Sequence, residues 1–172
     1  MREPLPHWPP RLENAAASLL PVTTMVLATI LSMQPVHLRG YAALTPAFIL
    51  MAAYHWTIYR PDLVPPTALF TIGTLQDLLC GGVPGVTALL LLLTRAVVLK
   101  FRHHFLNRPF PFVWAGFALL TGAAMFFLWV VHSVLAGELL GVRSTVFRAL
   151  LTVSVFPVVS YLLGRLQRAL MT

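Results

Sequence analysis

Long apolar runs, separated by short segments that contain charge, glycine or proline, extend along the whole chain. A helix that crosses the hydrocarbon core of a bilayer, about 30 Å thick, needs roughly 20 predominantly apolar residues. The 172 residues therefore have room for at most about six such helices with short connections. With charge, glycine and proline as boundaries, the pattern predicts an all-α, polytopic membrane protein with six transmembrane helices: Ala15–Met33, Ala42–Tyr59, Val64–Leu79, Val86–Lys100, Phe112–Leu135 and Val146–Leu163.

The third and fourth runs are short and are joined only by the segment CGGVPG, so a re-entrant pair is an alternative to two separate spans. At the start of the chain, MREPLPHWPPRLE contains four prolines. Because proline fixes φ and lacks a backbone donor, no helix is expected to begin there. The predicted organisation is a proline-rich cytoplasmic tail (1–14), a six-helix transmembrane domain (15–164) and a basic cytoplasmic tail (165–172).

The composition indicates a membrane protein with little soluble mass. Hydrophobic residues make up 58% of the chain, charged residues only 10%, and the mean hydropathy is +0.82, far from the values typical of soluble domains. The net charge of +7 does not indicate nucleic-acid binding, because the basic residues lie at the ends of apolar runs rather than on one face. The single cysteine, Cys80, excludes an internal disulfide bond.

Lysine and arginine are distributed unequally between the two sides of the predicted bundle. With the N-terminus inside, the outer segments carry Arg39, Arg143 and Arg148, and the inner segments carry Arg2, Arg11, Arg60, Lys100, Arg102, Arg108, Arg165 and Arg168. Since cytoplasmic loops carry the excess of positive charge, both termini are predicted to be cytoplasmic. Tyr54, Trp56 and Tyr59 are then expected to form an aromatic belt at the inner membrane interface.

Gln76 and Asp77 are adjacent polar residues near the outer end of the third span. An ionised side chain within a span costs about 2.5–3.5 kcal/mol, so it needs a partner. We interpret the pair as a buried polar node that fixes helix packing or contacts a partner; the alternatives are an interfacial acid near water and a role in catalysis or ion coupling. Arg148, about one turn into the sixth span, matches Asp77 in depth and is its predicted partner, whereas Arg95 is expected to extend toward the inner interface. No second acid lies within any predicted span, which argues against an intramembrane protease and leaves no catalytic candidate.

The segment between the third and fourth spans contains Gly81, Gly82, Pro84 and Gly85. Two helices that meet within a few residues need positive φ or close backbone approach, which glycine permits. The segment therefore predicts a tight external hairpin. Its amides would also suit an anion at the start of the next helix.

Two further features of the sequence suggest contacts with lipid or with other helices. His103 and His104, in KFRHHF, lack the further ligands that a metal site needs, and the segment is interpreted as a basic loop on anionic lipid. Ala115, Ala118 and Gly122 share one face of the fifth span and form a stripe of small residues. Such a stripe permits close helix packing, either within the chain, with a partner helix or with a second copy.

Two stretches resemble the MreD family of rod shape-determining proteins: YHWTIYRPDLVPP (54–66) and GTLQDLLCGGVPGVTALLLLL (73–93). The residues that match the family pattern are Tyr54, Trp56, Arg60, Pro61, Gly73, Asp77, Gly81 and Gly85. Thr74 and Cys80 depart from it, since the family pattern has leucine at the first position and serine or another small residue at the second.

The resemblance implies a non-enzymatic subunit of the bacterial inner membrane that takes part in lateral peptidoglycan synthesis and uses no cofactor. The implied partners are the membrane helix of MreC, the RodA glycosyltransferase, a class B penicillin-binding protein and, indirectly, the actin homologue MreB. It also implies a fold similar to the substrate-binding component of energy-coupling-factor vitamin transporters. The alternative function is therefore a small-molecule-binding membrane component, and a homodimer is a further expectation.

Overall fold

The structure, a computed structural model, describes residues 10–32, 46–106, 109–137 and 142–170. Within these ranges it contains six α-helices and no strand, which confirms the predicted all-α class. The helices are α1 (Pro10–Ser32), α2 (Phe48–Tyr59), α3 (Pro66–Leu79), α4 (Val86–Leu106), α5 (Phe110–Ala136) and α6 (Val142–Leu170). A single 3₁₀ turn, Pro61–Leu63, connects α2 to α3.

The first helix begins earlier than its sequence suggested. α1 starts at Pro10, so the prediction that no helix begins within the first thirteen residues is wrong. Proline is tolerated in the first turn because its missing N–H would have no intrahelical partner there and its φ is already near the helical value. Residues 10–14, which the sequence prediction placed in the tail, therefore belong to α1.

Other helix ends also differ from the predicted spans. α2 is shorter, because Pro46 and Ala47 are not helical, while residues 42–45 lie outside the described ranges. α4 continues to Leu106, so His103 and His104 belong to a helix and the predicted basic loop is wrong. Lysine, arginine and leucine are good helix formers, and charge at an interface does not end a helix. α6 likewise extends beyond its predicted span at both ends.

The helix α2 lies at the centre of the bundle. All of its residues from Ile49 to Ile58 are buried, as expected for a helix that is covered on every side. It packs against α1, α4 and α6. The Tyr54 ring contacts Phe117 of α5 and Phe156 of α6, whose own rings stack with centroids 3.9 Å apart. The core is therefore built around α2, and the other helices are positioned relative to it.

Two of the described helices are long and apolar enough to cross a membrane, over Phe110–Leu135 and Val142–Arg168. Leu119 and Val134 of α5 are 79% and 75% exposed, as expected where a helix faces lipid rather than water. α2 and α3 have only 12 and 14 residues, less than the roughly 20 that a separate span requires. Length and apolar composition together therefore support two spans directly, in α5 and α6, and leave six as a proposal.

Candidate functional site

The α3–α4 hairpin, residues 66–106, contains the polar node predicted from the sequence. α3 ends at Leu79, and Gly81 follows with a φ of 67°. The Gly82 N–H donates a hydrogen bond to the Asp77 carbonyl oxygen over 2.8 Å. This is the bond of a Schellman cap, in which a left-handed residue turns the chain sharply away from the helix end. The backbone freedom of Gly81 thus allows α4 to return alongside α3.

The Asp77 carboxylate caps the start of α4. Its Oδ2 accepts hydrogen bonds from the backbone N–H groups of Gly85, at 2.9 Å, and Thr87, at 3.0 Å. The first amides of a helix have no intrahelical partner and carry partial positive charge, so a carboxylate is well placed there. Asp77 is only 4% exposed. The anion suggested for this helix start is therefore a side chain of the hairpin itself.

The predicted pairing of Asp77 with Arg148 is wrong, since Arg148 is not among the hydrogen-bond partners of Asp77 in the described part of the chain. The prediction compared only the depths of Asp77 and Arg148 in the membrane. It did not consider the backbone amides of Gly85 and Thr87, which the glycine turn brings next to the Asp77 carboxylate. Arg148 is half-buried on α6, where its carbonyl oxygen accepts a hydrogen bond from Thr152. The node is thus local to the hairpin.

Gly73 marks a close approach between α3 and α4. A Cβ atom built on Gly73 would lie 2.5 Å from the Cα of Ala88 and 2.7 Å from its backbone nitrogen. Backbone atoms cannot move aside as a flexible side chain can, so only a hydrogen atom fits at this position. The family-pattern residue Gly73 therefore sets the distance between the two helices, one turn of helix away from Asp77.

The remaining hairpin residues contribute unequally. Gly85 has a φ of 95°, so it adopts a backbone conformation that glycine favours. Gly82 does not have positive φ, and a Cβ there would meet its nearest atoms at an ordinary 3.7 Å. Pro84 is exposed. The Gln76 side chain is buried, and its Oε1 has no hydrogen-bond partner among the described residues.

Two arginines of α4 connect the hairpin to the rest of the bundle. Arg95 Nε donates a hydrogen bond to the Val64 carbonyl oxygen over 3.0 Å, at the end of α3 remote from the glycine turn. This is the direction expected for its side chain. Arg102 Nε donates to the Ile58 carbonyl oxygen in the last turn of α2 over 2.8 Å. The family-pattern residues Arg60 and Pro61 follow directly after the end of α2, and Pro61 is buried in the 3₁₀ turn.

Three consecutive side chains of α2, Tyr54, His55 and Trp56, each reach a different helix; we call them the aromatic segment. The Tyr54 hydroxyl donates to the Val113 carbonyl oxygen of α5 at 3.0 Å. Nδ1 of His55 lies 3.2 Å from Oγ of Ser160 on α6. Nε1 of Trp56 donates to Oγ1 of Thr24 on α1 at 2.9 Å. Successive helical residues point about 100° apart, which is why one short stretch contacts three neighbours.

The predicted aromatic belt is wrong for two of its three members. Tyr54 and Trp56 are 1% and 0% exposed, so they lie in the protein interior, whereas Tyr59 is 37% exposed. An aromatic residue near the end of an apolar run fits either position, because its ring is apolar and its polar atom needs a partner or water. His55, Ser160 and Thr24 were not identified from the sequence. No local pattern distinguishes them from other polar residues in apolar helices.

The stripe of small residues on α5 lies at the surface of the described structure. Ala115 and Gly122 are exposed and Ala118 is half-buried. A Cβ atom built on Gly122 would meet nothing within 4 Å. The stripe is thus open at Gly122, in contrast to Gly73, where the neighbouring helix is already in contact.

The polar groups of the site join helices to one another. Within the described ranges, no cluster of three or more His, Cys, Asp and Glu side chains could hold a metal ion. Asp77 and the aromatic segment bond to backbone groups or to hydroxyls of other helices. The chemistry of this arrangement is the fixing of helix positions.

A family model described as rod shape-determining protein MreD matches residues 14–163. The chain belongs to the MreD family. Members of this family are membrane proteins that determine rod shape. The two described helices that are long and apolar enough to cross a membrane agree with this match. The matched range contains the hairpin, the aromatic segment and the stripe. Comparison with curated proteins and with solved structures finds no match.

Proposed function

We propose that this MreD family chain is a non-enzymatic scaffold of the bacterial inner membrane. It holds the membrane helix of MreC and supports lateral peptidoglycan synthesis by RodA and a class B penicillin-binding protein, with MreB contacted indirectly. Membership of the family supports a role in rod shape. The observation that carries the scaffold role is the use of Asp77 and the aromatic segment to fix one helix against another.

The proposed topology has six spans with both termini in the cytoplasm. α4 has 21 residues and is roughly 31 Å long, enough to cross the hydrocarbon core. The shorter α2 is surrounded by protein, so its ends need not reach the lipid headgroups. The Asp77 cap supports placing the hairpin within or at the edge of the bilayer, because it satisfies backbone donors that lipid cannot. A fold similar to vitamin-transporter substrate-binding components is part of this proposal.

The proposed contact surface for the MreC helix is the stripe formed by Ala115, Ala118 and Gly122. In lipid there is little hydrophobic drive between helices, so association depends on close packing at small residues. The open space over Gly122 supports this use, since no described part of the chain fills it. A second copy of the chain is the competing occupant.

The test is co-purification in detergent of a tagged form of this chain with MreC from the same organism. We expect a stable complex with the unchanged protein and a loss of about tenfold or more in recovered MreC with Gly122→Leu. Because Gly122 has open space around it, this variant is expected to keep its melting temperature. Gly164→Leu, at another open helical glycine, is the matched control and should retain MreC.

The possible outcomes test the scaffold function and the proposed contact surface separately. If the unchanged protein recovers no MreC, the scaffold role is contradicted. If Gly122→Leu recovers MreC normally, the role stands and the stripe is excluded as the contact. A dimer of the chain that forms without MreC and disappears in Gly122→Leu would instead assign the stripe to a second copy.

The second candidate is a small-molecule-binding membrane component. A cavity of about 680 Å³ between α4 and α5 favours it, since ligand pockets have volumes of about 300–1,000 Å³. Its lining is almost entirely apolar, however, and the Tyr54 hydroxyl there already donates to Val113. Ligand pockets need several converging polar groups. An increase in melting temperature with a vitamin, absent with unrelated small molecules, would support this candidate over the scaffold.

A further inference from the structure

A second cavity, of about 500 Å³, lies where α2 ends, α5 begins and α6 approaches its end. Its lining includes His55, Phe110, Ser160, Gly164, Gln167 and Arg168. Among the described helices, α5 and α6 are the two that are long and apolar enough to cross a membrane. The cavity thus lies at the shared end of these two helices, at the level where a span meets the lipid headgroups.

The imidazole of His55 lines this cavity and has unused hydrogen-bonding capacity. The side chain is only 3% exposed, and its Nδ1 is engaged with Ser160. Its Nε2 has no partner among the described residues. Both ring nitrogens of histidine donate or accept hydrogen bonds, and buried polar atoms are almost always paired. A ligand atom in the cavity would provide the missing partner.

The polar groups around the cavity favour an anion. The Arg168 guanidinium, the Gln167 amide and the Tyr59 and Tyr161 hydroxyls can all donate hydrogen bonds, and no carboxylate is among the described lining residues. Guanidinium and amide donors match the oxygens of a phosphate group. Imidazole supplies a further donor when the Ser160 hydroxyl donates to Nδ1, which leaves the proton on Nε2.

The rest of the lining is apolar. Phe110 and Pro157 lie on the two candidate spans, and Gly164 leaves open space on α6. Tyr161 and Leu162 of α6 are 61% and 59% exposed. A polar, donor-rich end beside an apolar helix surface matches a phospholipid, which has a charged headgroup and acyl chains, better than a free inorganic anion.

We propose that this cavity binds the headgroup phosphate of an anionic phospholipid, with an acyl chain lying against Phe110 and Pro157. Arg168, Gln167 and His55 Nε2 contact the phosphate oxygens. The cavity and its lining residues do not depend on the proposed function. Its assignment to the cytoplasmic leaflet rests on the topology given under the proposed function.

The test is thermal unfolding of the purified full-length chain in a neutral detergent with added lipid. We expect phosphatidylglycerol to raise the melting temperature in a saturable way, and phosphatidylcholine or inorganic phosphate to have no such effect. Gly164→Leu should abolish the increase, because the new side chain fills the cavity. A Cβ at Gly164 meets nothing within 4 Å, so the variant is expected to fold.

A pair of arginine variants distinguishes a built site from general attraction between opposite charges. Arg168 lines the cavity, whereas Arg165 lies on the same helix outside the lining, and both side chains are exposed. Arg168→Gln should weaken phosphatidylglycerol binding about fivefold. Arg165→Gln should leave it unchanged.

Three results would overturn the proposal. These are equal stabilisation by phosphatidylcholine, equal stabilisation by inorganic phosphate, and an undiminished lipid effect in Gly164→Leu. The scaffold function is tested separately, since Gly164→Leu should lose lipid but keep MreC, and Gly122→Leu should lose MreC but keep lipid. Failure of one therefore does not imply failure of the other.

Discussion

The α3–α4 hairpin and the aromatic segment of α2 both hold helices together, but across very different distances along the chain. In the hairpin, Asp77 bonds to amides 8 and 10 residues away. In the aromatic segment, Trp56, Tyr54 and His55 bond to groups 32, 59 and 105 residues away. The hairpin is thus a local structure, and the aromatic segment joins regions that meet only in the folded bundle.

The two regions also differ in the kind of interaction that holds them in place. The hairpin depends on backbone conformation and on steric fit, since Gly81 and Gly85 have positive φ and Gly73 touches the backbone of Ala88. The aromatic segment depends on hydrogen bonds from its side chains to groups on neighbouring helices. Such bonds contribute on average about 0.6 kcal/mol each in membrane proteins. Single substitutions should therefore be costlier in the hairpin.

The largest effect is expected at Gly73. Gly73→Ala places a methyl group in contact with the Ala88 backbone and forces α3 and α4 apart, which should lower the free energy of unfolding by about 2 kcal/mol. Unfolding of the purified protein in detergent measures it. Gly82→Ala is the control, because its Cβ would make only ordinary contacts at 3.7 Å. Equal stability of the two variants would refute the close-approach argument.

A smaller effect is expected at Asp77. Asp77→Ala leaves the Gly85 and Thr87 amides without their acceptor and should lower the free energy of unfolding by about 1–2 kcal/mol. Asp77→Asn keeps an acceptor oxygen and should lower it less. Asp62→Ala removes the same kind of carboxylate from an exposed position and should have little effect. An Asp77→Ala protein as stable as Asp62→Ala would exclude the cap as a stabilising feature.

The smallest effect is expected for one contact of the aromatic segment. In a double-mutant cycle, Trp56→Phe and Thr24→Val should show a coupling of about 0.6 kcal/mol in the free energy of unfolding. The cycle is needed because Trp56→Phe alone also removes packing volume at a fully buried site. A coupling as large as the Asp77→Ala effect would remove the contrast between the two regions.

The glycine-rich turn could be predicted from the sequence because its cause is local. Two helices joined by so few residues require backbone conformations that glycine adopts, and Gly81 and Gly85 have them. The all-helical class was also predictable, since long apolar runs leave few alternatives. The start of α1 was missed because the prolines near the beginning of the chain argued against a helix there, whereas proline fits the first turn of a helix.

What only the tertiary structure decided was the surroundings of each residue. Gly73 and Gly122 are both glycines in apolar helices, yet one touches backbone and the other faces open space. Tyr54 and Trp56 were expected at an interface and are buried. Local conformation depends on neighbours along the chain, which the sequence lists. Burial and bonding partners depend on which helices pack together, and that is settled only when the whole bundle has formed.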